Sequence, residues 1–206
     1  MKKFQIENRM YNNIMRAVAK HAAHNEDKPI LQGVYFEVES GKVRITALDG
    51  YRMIHYVVPL TVAELEPANF VMPIMPMASH KKEQSYIEID YSDVGGDFGR
   101  IHVTDVVDDV TVSRRVYKGD YVNYQNVIAF GHEKPVSIAV NVRYLIDALS
   151  AAVATCDKYE KEVAMITFDA NNNIKPLVVT RRGMYGDATH LVLPVKAPND
   201  EFCGEI

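Results

Sequence analysis

The sequence predicts an α+β protein made of repeated units, each a strand, a helix and three more strands. Its sheets are antiparallel, with helices on one side. Three observations predict this. Apolar and polar residues alternate with a period of two in many short runs. Ser-Gly, Asp-Gly and Asn-rich turns separate those runs. Helical stripes occur at corresponding places early and late in the chain, over Met10–Ala23 and Val142–Val153.

Phe4–Ile6 is a short first strand. In the helix after it, Met10, Ile14, Ala17, Val18 and His21 share one face. Lys28-Pro29 ends that segment. Val34, Phe36 and Val38 then alternate with Tyr35, Glu37 and Glu39 up to the Ser40-Gly41 turn. Val43, Ile45 and Ala47 form the next strand, and Met53–Leu60 the third. A second, weaker unit follows. Phe70–Met72 opens it, and Tyr86–Tyr91, Ile101–Val106 and Val110–Val116 are its later strands. Pro73 and Pro76 allow at most a short helix there, beginning near Pro76. Lys118–Gly131 has no period and reads as a connector. The third unit has a strand at Val136–Val140 and a helix capped by Asn141. Val142, Leu145, Ile146, Leu149 and Val153 make its stripe. Met165–Ala170, Leu177–Thr180 and Thr189–Val195 complete it, with a turn at Asn171-Asn172-Asn173. The expected organisation is a two-unit domain over 1–118, a connector over 119–134, and a half domain with a tail over 135–206.

The chain has 206 residues, 48% of them hydrophobic, which suits a sizeable core. A net charge of −4 argues against a uniformly basic coat protein and leaves room for one basic face. Two cysteines, Cys156 and Cys203, make no disulfide framework, and the N-terminus has no secretory pattern. The expectation is a cytoplasmic protein with no membrane partner.

One row of side chains carries a functional signal. Asn8–His24 contains no Asp or Glu. Within it Arg9, Asn13, Arg16, Lys20 and His24 recur at helical spacing, opposite the apolar stripe. Such a face suits phosphate oxygens, contacted without base reading. A solvated helix face is the other reading of the same row. His80, Lys81 and Lys82 form a second small basic cluster.

Four motifs, in order, carry a family resemblance. They are Lys28-Pro29-Ile30-Leu31-Gln32-Gly33-Val34, Ala47-Leu48-Asp49-Gly50-Tyr51-Arg52-Met53, the connector Tyr121–Ala129, and Val140–Leu149. Lys175-Pro176 and Leu193-Pro194-Val195-Lys196 extend the series. Together they resemble the bacterial DNA sliding clamp, the beta subunit of the replicative polymerase. The resemblance lacks the family's first domain and half of its last, and the tail Ala197–Ile206 runs past the family's usual end. It implies a DNA-clamp-like fold and a processivity factor that holds duplex DNA non-specifically. The DNA-contacting candidates are Arg9, Asn13, Arg16, Lys20, His24, Lys81 and Lys82. It also implies a cleft for peptides of a DNA polymerase or clamp loader. The cleft candidates are Asp49, Gly50, Tyr51, Arg52, Met53, Pro176, Leu193, Pro194 and Val195. The missing units imply a homo-oligomer, a dimer or a tetramer. The alternative is a clamp-derived interaction or regulatory module that binds clamp partners without encircling DNA.

No enzyme chemistry, cofactor or metal is expected. Asp105, Asp108 and Asp109 read as a solvated turn. Gly95-Gly96-Asp97-Phe98-Gly99 lacks the lysine and helix of a phosphate loop. Cys156 has no evident histidine partner, and the histidines lack zinc-ligand spacing.

Overall fold

Residues 1–24, 28–61, 64–80, 85–96, 98–125, 138–154, 163–169, 175–183 and 186–195 are described by a computed structural model. The chain divides into two compact units, Met1–Val122 and Asn123–Ile206.

In the first unit β1 (Lys3–Glu7) runs directly into α1 (Asn8–Ala19). A 3₁₀ turn at Pro29–Gln32 leads to β2 (Val34–Glu39), β3 (Lys42–Leu48) and β4 (Met53–Pro59). The second half holds β5 (Ala68–Met72), β6 (Tyr86–Asp90), β7 (Arg100–Asp105) and β8 (Val110–Arg115). Two four-stranded antiparallel sheets result, ordered β4-β3-β2-β5 and β1-β6-β7-β8.

The orders reveal an exchange. The opening strand of each half joins the sheet of the other half. In register, β1 places Phe4 opposite Ile89 and Ile6 opposite Ile87. Likewise β5 places Phe70 opposite Phe36 and Met72 opposite Val34. All eight residues are at most 5% exposed. Aromatic rings continue the seam. Phe36 stacks on Phe70 at 5.4 Å, Phe70 meets Tyr91 at 5.9 Å, and Tyr91 meets Phe4 at 6.0 Å. Each buried ring contributes about 2–3 kcal/mol by area alone. Gly33 sits at the crowded end of this seam. A Cβ there would lie 2.6 Å from Val71 and 2.7 Å from Tyr117, so only glycine fits without displacement.

Helix α1 lies in this core with a more polar buried face than its stripe predicts. Met10 points outward, 42% exposed. The buried face is Tyr11, Ile14, Met15 and Val18, together with Asn8 and Asn12. The two asparagines have a physical reason. The short second helix near Pro76 is absent, because Pro73–His80 is irregular throughout. Its backbone groups need partners other than one another. Tyr11 donates its hydroxyl to the Met75 carbonyl at 2.7 Å. Asn12 accepts from Met77 N at 2.9 Å, and Asn8 donates to the Ala78 carbonyl at 2.9 Å and accepts from His80 N at 3.2 Å. Side chains of the first helix thus replace the hydrogen bonds of a second.

In the second unit Ile138–Val140 precedes α2 (Val142–Ala154), followed by β9 (Met165–Thr167), β10 (Leu177–Gly183) and β11 (Gly186–Val192). The sheet order is β11-β10-β9. Asn141 caps α2 through Arg143 N at 3.0 Å. The predicted stripe is half right. Leu145 and Leu149 face the small core with Ala148 and Ala152, whereas Val142, Ile146 and Val153 are exposed. The Asn171–Asn173 turn lies outside the described residues.

The turn after β3 is held by one carboxylate. Asp49 Oδ1 accepts from Tyr51 N and Arg52 N at 3.0 Å, and Oδ2 accepts from Arg52 Nε at 2.9 Å. Gly50, at φ 91°, supplies the left-handed residue. The Tyr51 N–H above all, then the Arg52 side chain, holds the carboxyl down from 3.8 to about 2.

Two outcomes are expected. Asn8→Ala and Asn12→Ala each leave buried backbone groups unsatisfied and cost about 1–3 kcal/mol. Urea denaturation reads this as a lower midpoint at unchanged slope, whereas exposed Asn13→Ala changes stability by less than about 0.5 kcal/mol. For the turn, the ionised carboxylate is the stabilising form. Its contribution is complete above the unfolded carboxyl range and disappears as pH falls towards 2. The Tyr51 amide resonance should titrate with a midpoint near that value; a midpoint at the ordinary carboxyl pKa contradicts the hydrogen bonds.

Candidate nucleic-acid interface and peptide-docking residues

The basic row occupies the face of α1 that the core leaves free. Tyr11, Ile14, Met15 and Val18 turn inward, so Arg9, Asn13 and Arg16 turn outward, and all three are exposed. Lys20 is the exposed C-cap residue, and His24 is exposed beyond the helix end. Arg16 donates to Asn13 Oδ1 at 3.2 Å, which draws two members of the row together. Arg16 also lies in the last helical turn, where the helix dipole favours a cation. Among the described residues no carboxylate lies within 4.0 Å of Arg9, Arg16 or Lys20. Some other surface cations do have such partners. Lys3 pairs with Glu88 and Asp90, and Arg44 pairs with Glu39.

Lys81 and Lys82 lie outside the described residues. Their neighbour His80 has a structural setting. Its Nε2 lies 2.7 Å from Asp105 Oδ2 and 3.5 Å from Asp108 Oδ2. The expected solvated turn is therefore wrong for Asp105, which is 1% exposed. Its Oδ1 accepts from Val107 N at 3.0 Å, while Asn8 donates to Oδ2 at 3.4 Å. Asp108 and Asp109 remain exposed. His80, Asp105 and Asp108 bring donor atoms within 4.8 Å of one another, but Asp105 is occupied as a brace between α1 and the β7–β8 turn.

The peptide-docking candidates fall on both units. On the first unit Asp49 closes its turn, and Tyr51 stands in solvent, 99% exposed. Gly50 and Arg52 are exposed, and Met53 is half-buried at the start of β4. On the second unit Leu177 pairs with Val192, so Pro176 and Leu193 adjoin the same end of the β10–β11 hairpin. Leu193 is 67% exposed and Val195 is 45% exposed, while Pro194 is half-buried. Both stretches present apolar side chains that local packing does not use.

One feature escaped the sequence reading. Tyr35, Val71, Tyr117, Lys118 and Tyr121 border a cavity of about 520 Å³ on the first unit. Tyr35 and Tyr121 stack at 4.7 Å and 9°. Burial pushes the Tyr121 hydroxyl up to about 12. Tyr35 occupies an outward position of β2, so alternation assigns it to solvent. No local pattern in the connector records that Tyr121 returns over that strand.

Among the described residues no helix is long and apolar enough to cross a membrane. A family model for the DNA polymerase III beta subunit, central domain, matches residues 5–121. Comparison with curated proteins returns no match. Among solved structures, the chain is similar to the DNA polymerase sliding clamp of Bacillus subtilis, with TM-score 0.73 and 16% identity over 94% of this chain and 49% of that one. It is similar to the DNA polymerase III beta chain of Streptococcus pneumoniae, with TM-score 0.71 and 15% identity over 95% and 50%. It is also similar to the beta subunit of Thermotoga maritima, with TM-score 0.68 and 17% identity over 94% and 50%. The chain spans about half the length of these structures and shares their α+β clamp fold. Its first unit carries the family match almost end to end, and the chain belongs to the family of the DNA polymerase III beta subunit, central domain.

Proposed function

We propose that this protein is a sliding-clamp-like processivity factor. It holds duplex DNA without sequence preference and acts as a homo-oligomer. Arg9, Asn13, Arg16, Lys20 and His24 face the phosphates, with Lys81 and Lys82 adding charge. The exposed apolar residues of Tyr51–Met53 and Leu193–Val195, with Pro176, recognise short peptides of a DNA polymerase or clamp loader. The protein does no covalent chemistry in this role.

The observation that carries the reading is the unpaired row on α1. In this chain of net charge −4, surface cations such as Lys2, Lys3, Lys42 and Arg52 sit beside carboxylates. Three cations without a described carboxylate partner keep their charge for an external anion. Such a row neutralises phosphates and releases counterions, and carries no groove-reading geometry.

Fluorescence anisotropy with a labelled duplex tests this. Affinity should fall steeply with salt and be the same for a scrambled duplex. The double variant Arg16→Glu with Lys20→Glu should lose at least tenfold in affinity. The slope of log K against log salt should flatten by about two for each protomer in contact, near 0.9 per phosphate contact removed. Duplex retention that is unchanged by the variant overturns the proposal.

A further inference from the structure

Among the described residues, the second unit shows one half of strand, helix and three strands, where the first unit has two such halves of strands. In the first unit each half lends its opening strand to the other sheet, β1 to β6 and β5 to β2. The lent strand also touches the end of its own half. Tyr117 N donates to the Val71 carbonyl of β5 at 2.8 Å. The second unit repeats that second contact. Val195 N donates to the Ala139 carbonyl at 2.8 Å, and Val140 bridges Pro194. Ile138–Val140 is therefore held by its own half as β5 is. Among the described residues, no strand pairs with its other edge or with the outer edge of β9.

Burial identifies what is missing. Aligning α1 and α2 at their first residues, Asn8 and Val142, makes Ile138 and Val140 the counterparts of Phe4 and Ile6. It makes Val142 and Ile146 the counterparts of Asn8 and Asn12, which bind the other half's backbone and are at most 1% exposed. Val142 and Ile146 are instead apolar and 66% and 54% exposed. Across the sheet, Ile166 stands opposite Val179, as Phe36 stands opposite Ile45. Phe36 is sealed by Phe70 of β5 and is fully buried, whereas Ile166 is 48% exposed. The donor strand, the acceptor edge and the apolar helix positions are thus all present in one chain and, among the described residues, unused.

We propose that a second copy of this chain completes the unit by reciprocal strand exchange about a two-fold axis. Ile138–Val140 of each copy pairs antiparallel with β9 of the other. Ile138 lies opposite Ile166, Ala139 opposite Met165, and Val140 opposite Ala164. Val142 and Ile146 of the two α2 helices meet near the axis. The patch is self-complementary, as a two-fold interface requires. The exchange removes both open edges at once. It deepens the oligomeric part of the proposed function by naming the interface.

The test needs neither DNA nor peptide, so its failure is distinguishable from a failure of duplex binding. Light scattering of the full chain at micromolar concentration should give twice the 23.2 kDa of one chain. Ile146→Lys, at an exposed helix position, should give a monomer with an unchanged far-UV spectrum. In a background of Cys156→Ser and Cys203→Ser, Ala139→Cys with Met165→Cys should oxidise to a covalent dimer. Opposed residues of an antiparallel pair are ~4.5–5.5 Å apart at Cα, within disulfide reach. Within one chain the two sites lie on opposite sides of β11 and β10, about 14 Å apart at ordinary strand spacing, so a dimer band reports pairing between copies. Each single-cysteine variant should stay uncrosslinked. A wild-type monomer, a dimer that survives Ile146→Lys, or a single variant that cross-links as readily as the double one overturns the proposal.

Discussion

Exchange of opening strands is the constraint on which the rest of this structure depends. In one four-stranded sheet of the first unit β1 joins β6, β7 and β8, and in the other β5 crosses over to pair with β2 instead of its sequence neighbour β4. Each takes the opening strand of the other half, and those strands bring Phe4, Ile6, Phe70 and Met72 into the core. Remove one and an apolar sheet edge opens to water. Such an edge invites pairing with another chain. The exchange also fixes the direction in which α1 leaves β1, because Glu7 and Asn8 are consecutive and no loop intervenes. The basic row is therefore aimed by a strand anchored in the far half of the unit.

The polar brace beneath α1 follows from the same constraint. The strand β5 must end where Pro73 and Pro76 forbid a regular helix, yet the following backbone is close-packed against α1. Buried backbone groups cost 1–3 kcal/mol or so each when left without partners. Tyr11, Asn12 and Asn8 meet that demand on the inward side. This leaves the outward side to cations that have no carboxylate partner among the described residues. Asp105 and His80 continue the brace towards the β7–β8 turn, which is why an acidic trio that looks solvated in sequence holds a buried member.

Much of the fold was legible in sequence because it is local. Alternation located nearly every strand, since one face of each sheet is buried, and Val34, Phe36 and Val38 turn inward together. Ser40-Gly41 and Asp49-Gly50 marked turns that require φ above zero at glycine. The exchange itself was not legible. Pairing between β1 and β6, or β2 and β5, is set by contacts between distant segments, and no local period records it. Helix faces were half legible for the same reason. Hydrophobicity placed Met10 inward and was silent on Asn8 and Asn12, because a hydrogen-bonding demand from another segment outweighs side-chain polarity. On α2 the stripe included Val142 and Ile146, which nothing in the chain's described residues covers. The basic row was legible as a pattern of residue types, and the lack of described acidic neighbours needed coordinates.

Native-state hydrogen exchange tests the central claim most directly. If the lent strands bind the two halves of the first unit into one cooperative body, amides of β1 and β5 that bond to β6 and β2 open only with global unfolding. Their exchange free energies should equal those of the central strands β3 and β7 and match the denaturant-derived stability of the unit. Amides of β1 or β5 that exchange orders of magnitude faster than β3 and β7 would contradict the account, because each half would then stand without the strand it borrows.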